Sequence, residues 1–440
     1  MKIMKFGGTS VGSPERMQGV ARQITADEQP KIVVLSALSG TTNSLAEIGQ
    51  AMAEGNKSLA KSLVGQLEGH YRKFYRELVS GAEARLKAQE VIDEHFEFLS
   101  IILRISFNEA LNKDILAQGE LLSTRLFSIY LEEAGIRAFL LPALDFMTID
   151  EFEEPEIPGI RTRLTALLSR HKGERLFITQ GYICRNARGE IDNLKRGGSD
   201  YTASLIGAAL NAAEIQIWTD IDGMHNNDPR VVGTTLPIDQ LSFEEAAELA
   251  YFGAKILHPA SIWPAQHFNV PVKLLNTLQP EARGTLITDQ PSGDGVKAIA
   301  AKDGITAIRI KSGRMLLAYG FLRKIFEVFE KYRTPIDMVT TSEVAVSLTI
   351  DNTAQLRSIL ADLEPWGTVE QDPDQTIVSI VGNEVASTPE ILARIFAVLA
   401  PIPLRMISYG GSRHNISLLI PGSRKKETLQ LLNKGLFGLD

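Results

Sequence analysis

The feature that most constrains this chain stands at its start. Met1–Glu15 reads MKIMKFGGTSVGSPE: apolar Ile3, Met4 and Phe6 make a short strand that delivers Lys5 into the pair Gly7-Gly8. Thr9 and Ser10 follow, and Ser13-Pro14 opens a helix whose apolar positions are Met17, Val20, Ala21 and Ile24. Such a start commits the chain to a strand–turn–helix unit, and so to a sheet covered by helices. Glycines let backbone N–H groups approach an anion, a helix N-terminus adds positive dipole, and Lys5 adds a full charge. The stretch is a candidate phosphate cradle, although it matches neither the Walker loop nor the dinucleotide fingerprint. A plain strand-ending turn is the competing reading.

The rest of the chain narrows the class. Its 440 residues exceed one ordinary core, so two or three domains are expected. Apolar residues at 44% and charged ones at 22% belong to a folded globular protein. The net charge of −7 is spread along the chain without a basic face, which argues against nucleic acid and for small-molecule chemistry. The single cysteine, Cys184, excludes a disulfide framework, suits a reducing compartment and reads as a packing residue in a strand. The histidines show no zinc-ligand spacing, so no metal site is expected from the protein's own side chains. No apolar run approaches the ~18 residues of a membrane span and none reads as a leader, so the expectation is a cytoplasmic protein with no membrane partner.

Taken in order, Lys31–Leu38 (KIVVLSAL) is a continuous apolar run, the pattern of a parallel strand buried on both faces. Ser36 and Thr42 lie just past it, where open α/β sheets place ligands; capping of the next helix explains them equally well. Residues 57–112 are charged and helical, with Leu59, Leu63 and Leu67 on one face, and predict a helical arm carrying His70 and His95 as surface or boundary residues. Glu120 is expected at the start of a helix that Gly135 stops, where its charge suits the dipole; a site carboxylate is the alternative. Strands and helices then alternate through 138–182. A second cluster follows at KRGGSDYTASL (195–205), then the strand Ile215–Trp218 running into Thr219-Asp220, then Asp228-Pro229-Arg230, then YFGAKILHP (251–259) with Lys255. His258 before Pro259 reads as a turn residue. The alternation predicts an α/β domain with a largely parallel sheet, and its strand-end cations and carboxylates are the parts phosphoryl transfer asks for.

Beyond TDQPSGDG (288–295) the chain repeats itself. LRKIFEVF (322–329) answers LARIFAVL (392–399), IDMV (336–339) answers LRMI (404–407), and VSLTI (346–350) answers ISLLI (416–420). The offset is about 70 residues, the mark of a duplicated module. Copy one has a closing strand candidate in Gly367–Glu370, whereas copy two runs out at GLFGLD. Val296–Ala301 (VKAIAA) is spare and is expected to complete the second copy, so that its deletion unfolds the C-terminal module.

These residues, in this order, resemble aspartate kinase. KFGGTSVGS (5–13), VVLSALSGTTN (33–43), ILAQGELLSTR (115–125), RGGSDYTA (196–203), WTDIDG…DPR (218–230) and FGAKILHP (252–259) are similar to landmarks of its catalytic part. IDMVTTSEVAVSLTID (336–351) and ISYGGSRHNISLLIPG (407–422) are similar to its paired ACT regulatory modules. The resemblance implies an amino-acid kinase fold over 1–290, ACT modules over 304–372 and 376–440, and strand 296–301 completing the second. It implies ATP with Mg²⁺ and L-aspartate giving 4-phospho-L-aspartate, at the head of lysine, threonine and methionine synthesis. The acceptor carboxylate is already anionic at neutral pH, so no general base is needed, and cations must overcome anion–anion repulsion.

By the same resemblance Lys5 holds the phosphates with the backbone of Gly7, Gly8, Thr9 and Ser10, and Asp200 orients the lysine. Arg196 takes the substrate α-carboxylate and Glu120 its ammonium, with Ser36, Thr42, Gly197, Gly198 and Ser199 completing the pocket. Thr219, Asp220, His225, Arg230, Lys255 and Ile256 line the nucleotide side. The lysine-sensitive branch implies an effector site at Met315, Ala318, Phe321, Leu322, Ile336, Asp337 and Ser342, with Asp337 pairing an ammonium; simple packing of the module explains the same residues. A homodimer through the ACT modules is implied, and an end at residue 440 implies a monofunctional kinase. The chain departs from the family in Asp192-Asn193-Leu194-Lys195 before RGGSD, in His225 where tyrosine is usual, and in Ala318 where lysine-sensitive members carry serine. A kinase of the same fold with another acyl acceptor, and a catalytically inactive amino-acid sensor, are the alternative functions.

Overall fold

Continuous apolar strands demand cover on both faces, and the chain supplies it by alternating strand with helix. The computed structural model describes residues 1–194, 197–252, 257–290, 293–313 and 319–439. The chain divides into two compact units: Met1–Met224, Asp239–Phe243 and Leu257–Gln290 form the first, and His225–Ile238, Glu244–Ile256 and Pro291–Asp440 the second. Two short segments inside 1–290 thus group with the C-terminal part.

The first unit begins with β1 (Lys2–Phe6), α1 (Pro14–Ile24), β2 (Lys31–Leu35) and α2 (Thr41–Ala53). Helices α3 (Lys57–Leu78), α4 (Ala82–Ile102) and α5 (Glu109–Glu133) follow, then β3 (Phe139–Leu140), α6 (Ile157–Arg170) and β4 (Leu176–Gln180). A hairpin of β5 (Ile183–Arg185) and β6 (Ile191–Asn193) leads to α7 (Gly198–Leu210) and β7 (Glu214–Thr219). β8 (Gln240–Ser242), α8 (Phe243–Tyr251), α9 (Pro259–His267), β9 (Val272–Asn276) and β10 (Thr285–Thr288) complete the run, with α8 passing into the second unit. The sheet has eight strands in the order β3-β4-β2-β1-β7-β9-β10-β8, parallel except where β10 turns back on β9. Its strands read as the sequence predicts: β2 is buried at every position. Helix α1 is capped by Ser13, whose hydroxyl accepts from Arg16 N, and buries Met17, Val20, Ala21 and Ile24.

The expected helical arm is not an arm. Tyr71, Phe74, Ile92, Phe96 and Phe127 belong to one core with Phe6, Met17 and Leu35, so α3, α4 and α5 pack into the body of the unit. Leu59, expected on the buried face, is 45% exposed, because the buried face of α3 runs through Ala60, Val64, Leu67 and Tyr71. His95, expected at the surface or a boundary, is buried; its Nδ1 donates to Gln118 Oε1 at 2.6 Å and Arg125 donates to its Nε2. Burial holds its pKa below the ordinary value.

The second unit is built on a six-stranded antiparallel sheet ordered β12-β13-β11-β14-β16-β15. Its elements are β11 (Gly295–Lys311), α10 (Phe321–Lys331), β12 (Val339–Thr341), β13 (Ala345–Ile350), α11 (Leu356–Leu363), β14 (Thr368–Asn383), α12 (Pro389–Val398), β15 (Met406–Ser408), β16 (Asn415–Pro421) and α13 (Lys425–Phe437). β11 and β14 are long and shared. Val296–Lys302 pairs with Ile377–Gly382, and Ile305–Lys311 pairs with Thr368–Gln375, the register slipping between Lys302 and Ala307. Each half of the sheet covers its own apolar cluster: Ile308, Ile325 and Leu348 in one, Ile299, Ile380 and Ile416 in the other. The repeat in the sequence is therefore a repeat of sheet and helices in space. Among the described residues no helix is long and apolar enough to cross a membrane.

Candidate active site

Parallel strands deliver side chains to the edge where their C-terminal ends lie, and β1, β2, β4 and β7 end side by side. There a cleft of about 450 Å³ opens, lined by Gly8 and Thr9 after β1, by Ser36–Gly40 after β2, and by Thr42 and Asn43 in the first turn of α2. Glu120 of α5, Tyr182 after β4, and Gly197–Ser199 at the start of α7 close it.

Lys5 comes from β1 and Asp200 from the first turn of α7, and Nζ stands 2.7 Å from Oδ1, with both side chains mostly buried at 12% and 14% exposure. A charge held this way has its position fixed before any ligand arrives. Glu120 sits well inside α5, which begins at Glu109, so the dipole reading is overturned: that effect fades within the first turn. Instead Glu120 is 3% exposed, its Oε1 accepts from Ala37 N at 3.2 Å, and its buried Oε2 has no partner. Burial pushes its pKa up to about 8 against the pull of Lys5. An orphaned carboxylate oxygen facing a cleft is a receptor for a cation.

Helices α2 and α7 present their N-termini to this cleft, and their caps, Gly40 and Gly197, have no side chain to satisfy the first N–H groups. Gly197 adopts φ +73°, and a Cβ there would stand 2.4 Å from His258 Cβ, so only glycine fits. At Gly198 a Cβ would meet the Tyr182 ring at 2.3 Å. Thr42 and Ser36 line the cleft and neither caps α2. His258 serves as expected in a turn, its Nδ1 accepting from Ala260 N to cap α9.

Other expected residues are arranged differently. Ser10 is buried and its hydroxyl points inward, 2.7 Å from Thr277 Oγ1. Thr219 ends β7 with its hydroxyl accepting from Ile221 N, and Asp220 is exposed. His225 and Arg230 belong to the second unit, where His225 Nδ1 lies 2.7 Å from Thr235 Oγ1 and exposed Arg230 grips Asp228 with two nitrogens, each at 2.9 Å. Arg196, Lys255 and Ile256 lie outside the described residues, as do Met315 and Ala318. Tyr182 escapes sequence reading: it lines the cleft, holds φ +67°, and ties β4 to α7 by donating its N–H to Thr202 Oγ1. Its only signal is its place after Gly181 at a strand end.

Within the second unit Asp337 is the distinctive member of the expected effector set. Its side chain is 2% exposed; Oδ1 accepts from Lys302 Nζ at 2.7 Å and from the Tyr251 hydroxyl at 3.2 Å, while Oδ2 is buried without a partner. Phe321 and Ile336 pack into the Ile308 cluster, whereas Leu322 and Ser342 are exposed.

The amino acid kinase family model matches residues 1–276, and an ACT domain model matches residues 378–436. The lysine-sensitive aspartokinase 3 of Escherichia coli K12 is 34% identical over 454 residues, covering 99% of both chains. The chain belongs to the aspartokinase family. It is accordingly a kinase whose acceptor is aspartate. The chloroplastic aspartokinase 3 of Arabidopsis thaliana is 37% identical over all of this chain and 82% of its own. Among solved structures, E. coli aspartokinase III in complex with aspartate and ADP (R-state) matches with a TM-score of 0.87 at 32% identity, over 99% of this chain and 100% of that one. The same enzyme with lysine and aspartate (T-state) matches at 0.80 and 31%, over 99% of each chain.

Proposed function

We propose that the chain transfers the γ-phosphoryl group of ATP to the side-chain carboxylate of L-aspartate, giving 4-phospho-L-aspartate and ADP at the head of lysine, threonine and methionine synthesis. The observation that carries this is the convergence, at the strand ends around one cleft, of Lys5 paired with Asp200, the orphaned Glu120 carboxyl oxygen and two glycine-capped helix N-termini. Two anions must meet here. The Lys5 ammonium stands between them and stabilises charge on the transferring group, and the N–H groups of Gly8 and Thr9 hold phosphate oxygens, while the Gly7 N–H donates to the Trp218 carbonyl at 3.4 Å instead. Glu120 takes the substrate ammonium, and Thr42, Ser36 and Ser199 bind its oxygens together with the α7 N-terminus. Arg196 is assigned to the α-carboxylate, and Thr219, Asp220, His225, Arg230, Lys255 and Ile256 to the nucleotide, on the resemblance of their motifs.

Mg²⁺ arrives with the nucleotide. Among the described residues no group of three or more His, Cys, Asp or Glu side chains could hold a metal ion. The part of Mg²⁺ is to offset phosphate charge.

The second unit is assigned as two ACT modules, over 304–372 and 376–440. The pairing of 296–302 with β14 supports strand 296–301 as the closing strand of the second. Its ligand is an amino-acid effector, lysine, with Asp337 Oδ2 free to take an ammonium. The assembly is a cytoplasmic homodimer joined through these modules.

The test is ADP release with aspartate and with glutamate as acceptors, each with and without lysine. Turnover with aspartate, suppressed by lysine, is expected; turnover with glutamate alone defeats the acceptor assignment.

A further inference from the structure

Ser10 and Thr277 form a buried hydroxyl pair that the chemistry above leaves unused. Ser10 is 2% exposed and Thr277 7%, and their oxygens stand 2.7 Å apart. Ser10 Oγ also lies 3.4 Å from the carbonyl oxygen of Trp218. That carbonyl can only accept, so the direction in which Thr277 donates to Ser10 and Ser10 to the carbonyl is the one that pairs both hydroxyl protons. Ser10 therefore has no hydroxyl proton left for a phosphate.

Thr277 spends every polar atom on a different segment. Its N–H donates to Thr219 O at 2.7 Å, extending the pairing of β7 and β9 by one residue. Its carbonyl accepts from Gln23 Nε2 of α1 at 2.7 Å, and its hydroxyl reaches Ser10. Ser10 N in turn donates to Gly7 O at 2.9 Å, closing the turn that carries Gly8 and Thr9 to the cleft. One threonine outside the cleft thus ties the glycine turn to the Thr219 end of β7.

We propose that Thr277 is a positioning residue for the nucleotide, acting through Ser10 to hold the glycine turn in register with Thr219. This rests on the assignment of the turn to phosphate and of Thr219 to the nucleotide side. Glycines leave the turn soft, and N–H groups stabilise an anion only when aimed before it arrives. A pin that costs nothing in access to the cleft supplies that stiffness.

The experiment substitutes Thr277→Val, which keeps shape and both backbone bonds, and Ser10→Ala, alone and together, in the full chain. Each single variant is expected to raise KM for ATP about tenfold, the worth of one buried hydrogen bond, with kcat within about twofold and thermal midpoint near that of the parent. Thr277→Ser restores KM, and the double variant is no worse than the poorer single, since both break one chain. KM for ATP unchanged in either single variant, or multiplied effects in the double, overturns the proposal. So does loss of kcat and thermal midpoint together at constant KM, which is a merely structural role. Lys5→Met run alongside separates the two readings: if it too leaves ATP handling untouched the turn is not the phosphate site, and if it alone abolishes turnover only the pin is wrong.

Discussion

Lys5 Nζ lies 2.7 Å from Asp200 Oδ1, an ion pair between the first strand and the helix that follows the second Gly-Gly cluster. The pair separates two tasks, charge and its placement. Lys5→Met removes the charge and is expected to lower kcat about 10²–10³-fold, as for loss of one electrostatic stabiliser. Asp200→Asn keeps the charge and loses its anchor, and the expected loss is smaller, up to about 10²-fold. Steady-state kinetics on folded variants, checked by circular dichroism, decide the order; an Asp200 loss exceeding that of Lys5 contradicts it.

Glu120 gives a pH signature. Its folded pKa, pushed up to about 8 by burial, exceeds the 4.5 of a free glutamate, so the empty folded state binds the extra proton. Its contribution to stability is full below pH 4.5 and is lost as pH rises through about 8. An ammonium needs the ionised carboxylate, so aspartate binding should tighten from pH 6 to 8.5 and release a proton. Calorimetry in buffers of different ionisation heat reads that proton. Glu120→Gln should abolish it and weaken aspartate binding about 10–100-fold, as for a bond to a charged group.

Gly198 has no room for a methyl group, because the Tyr182 ring would stand 2.3 Å from it. Gly198→Ala must push back the first turn of α7, and with it Ser199 and Asp200. The expected cost is about 1–3 kcal/mol of stability, typical of overpacking, together with a raised KM for aspartate. Thermal melts and acceptor titrations check the two parts; a variant with parental values of both refutes the close fit.

Asp337 carries the effector assignment. Burial holds its carboxyl above the usual range, Lys302 pulling the other way, and Oδ2 is buried without a partner. Asp337→Asn removes the charge that an ammonium would meet, so the lysine concentration giving half inhibition should rise about tenfold or more, with kcat in its absence unchanged. Inhibition curves test this directly. Because the folded pKa is raised, inhibition of the parent chain should weaken as pH falls toward that pKa.

Ile299 tests the shared strand. It is 4% exposed in the cluster with Ile380 and Ile416, on the segment that pairs with β14. Ile299→Ala should cost about 2–5 kcal/mol and loosen the second half of the sheet before the first. Hydrogen exchange along β11 and β14 follows both halves at once; equal loosening of the two contradicts separate modules.

The readable parts of this molecule are those that local rules govern. Apolar runs gave the strands, Ser13-Pro14 the start of α1, and the 322–420 self-similarity the doubled sheet, because period and capping act over a few residues. The fate of 57–112 was not readable: amphipathic helices say that one face is covered, not by what, and α3 and α4 found cover in the kinase core. The burial of His95 beside Gln118 follows from that same packing.

The site divides in the same way. Residue types show which chemistry is present: Lys5 beside two glycines, RGGSD, and an acidic residue in ILAQGELLSTR, together with the family they imply. Long-range packing set the surroundings of each group. It set Glu120 inside α5 with one bare oxygen, turned Ser10 away onto Thr277, brought in Tyr182, and left Asp337 half satisfied by Lys302. The physical reason is that residue type follows from local chemistry, whereas burial and hydrogen-bond partners depend on segments far apart in the chain. A carboxylate becomes a receptor only where packing has stripped it of water and given it too few donors.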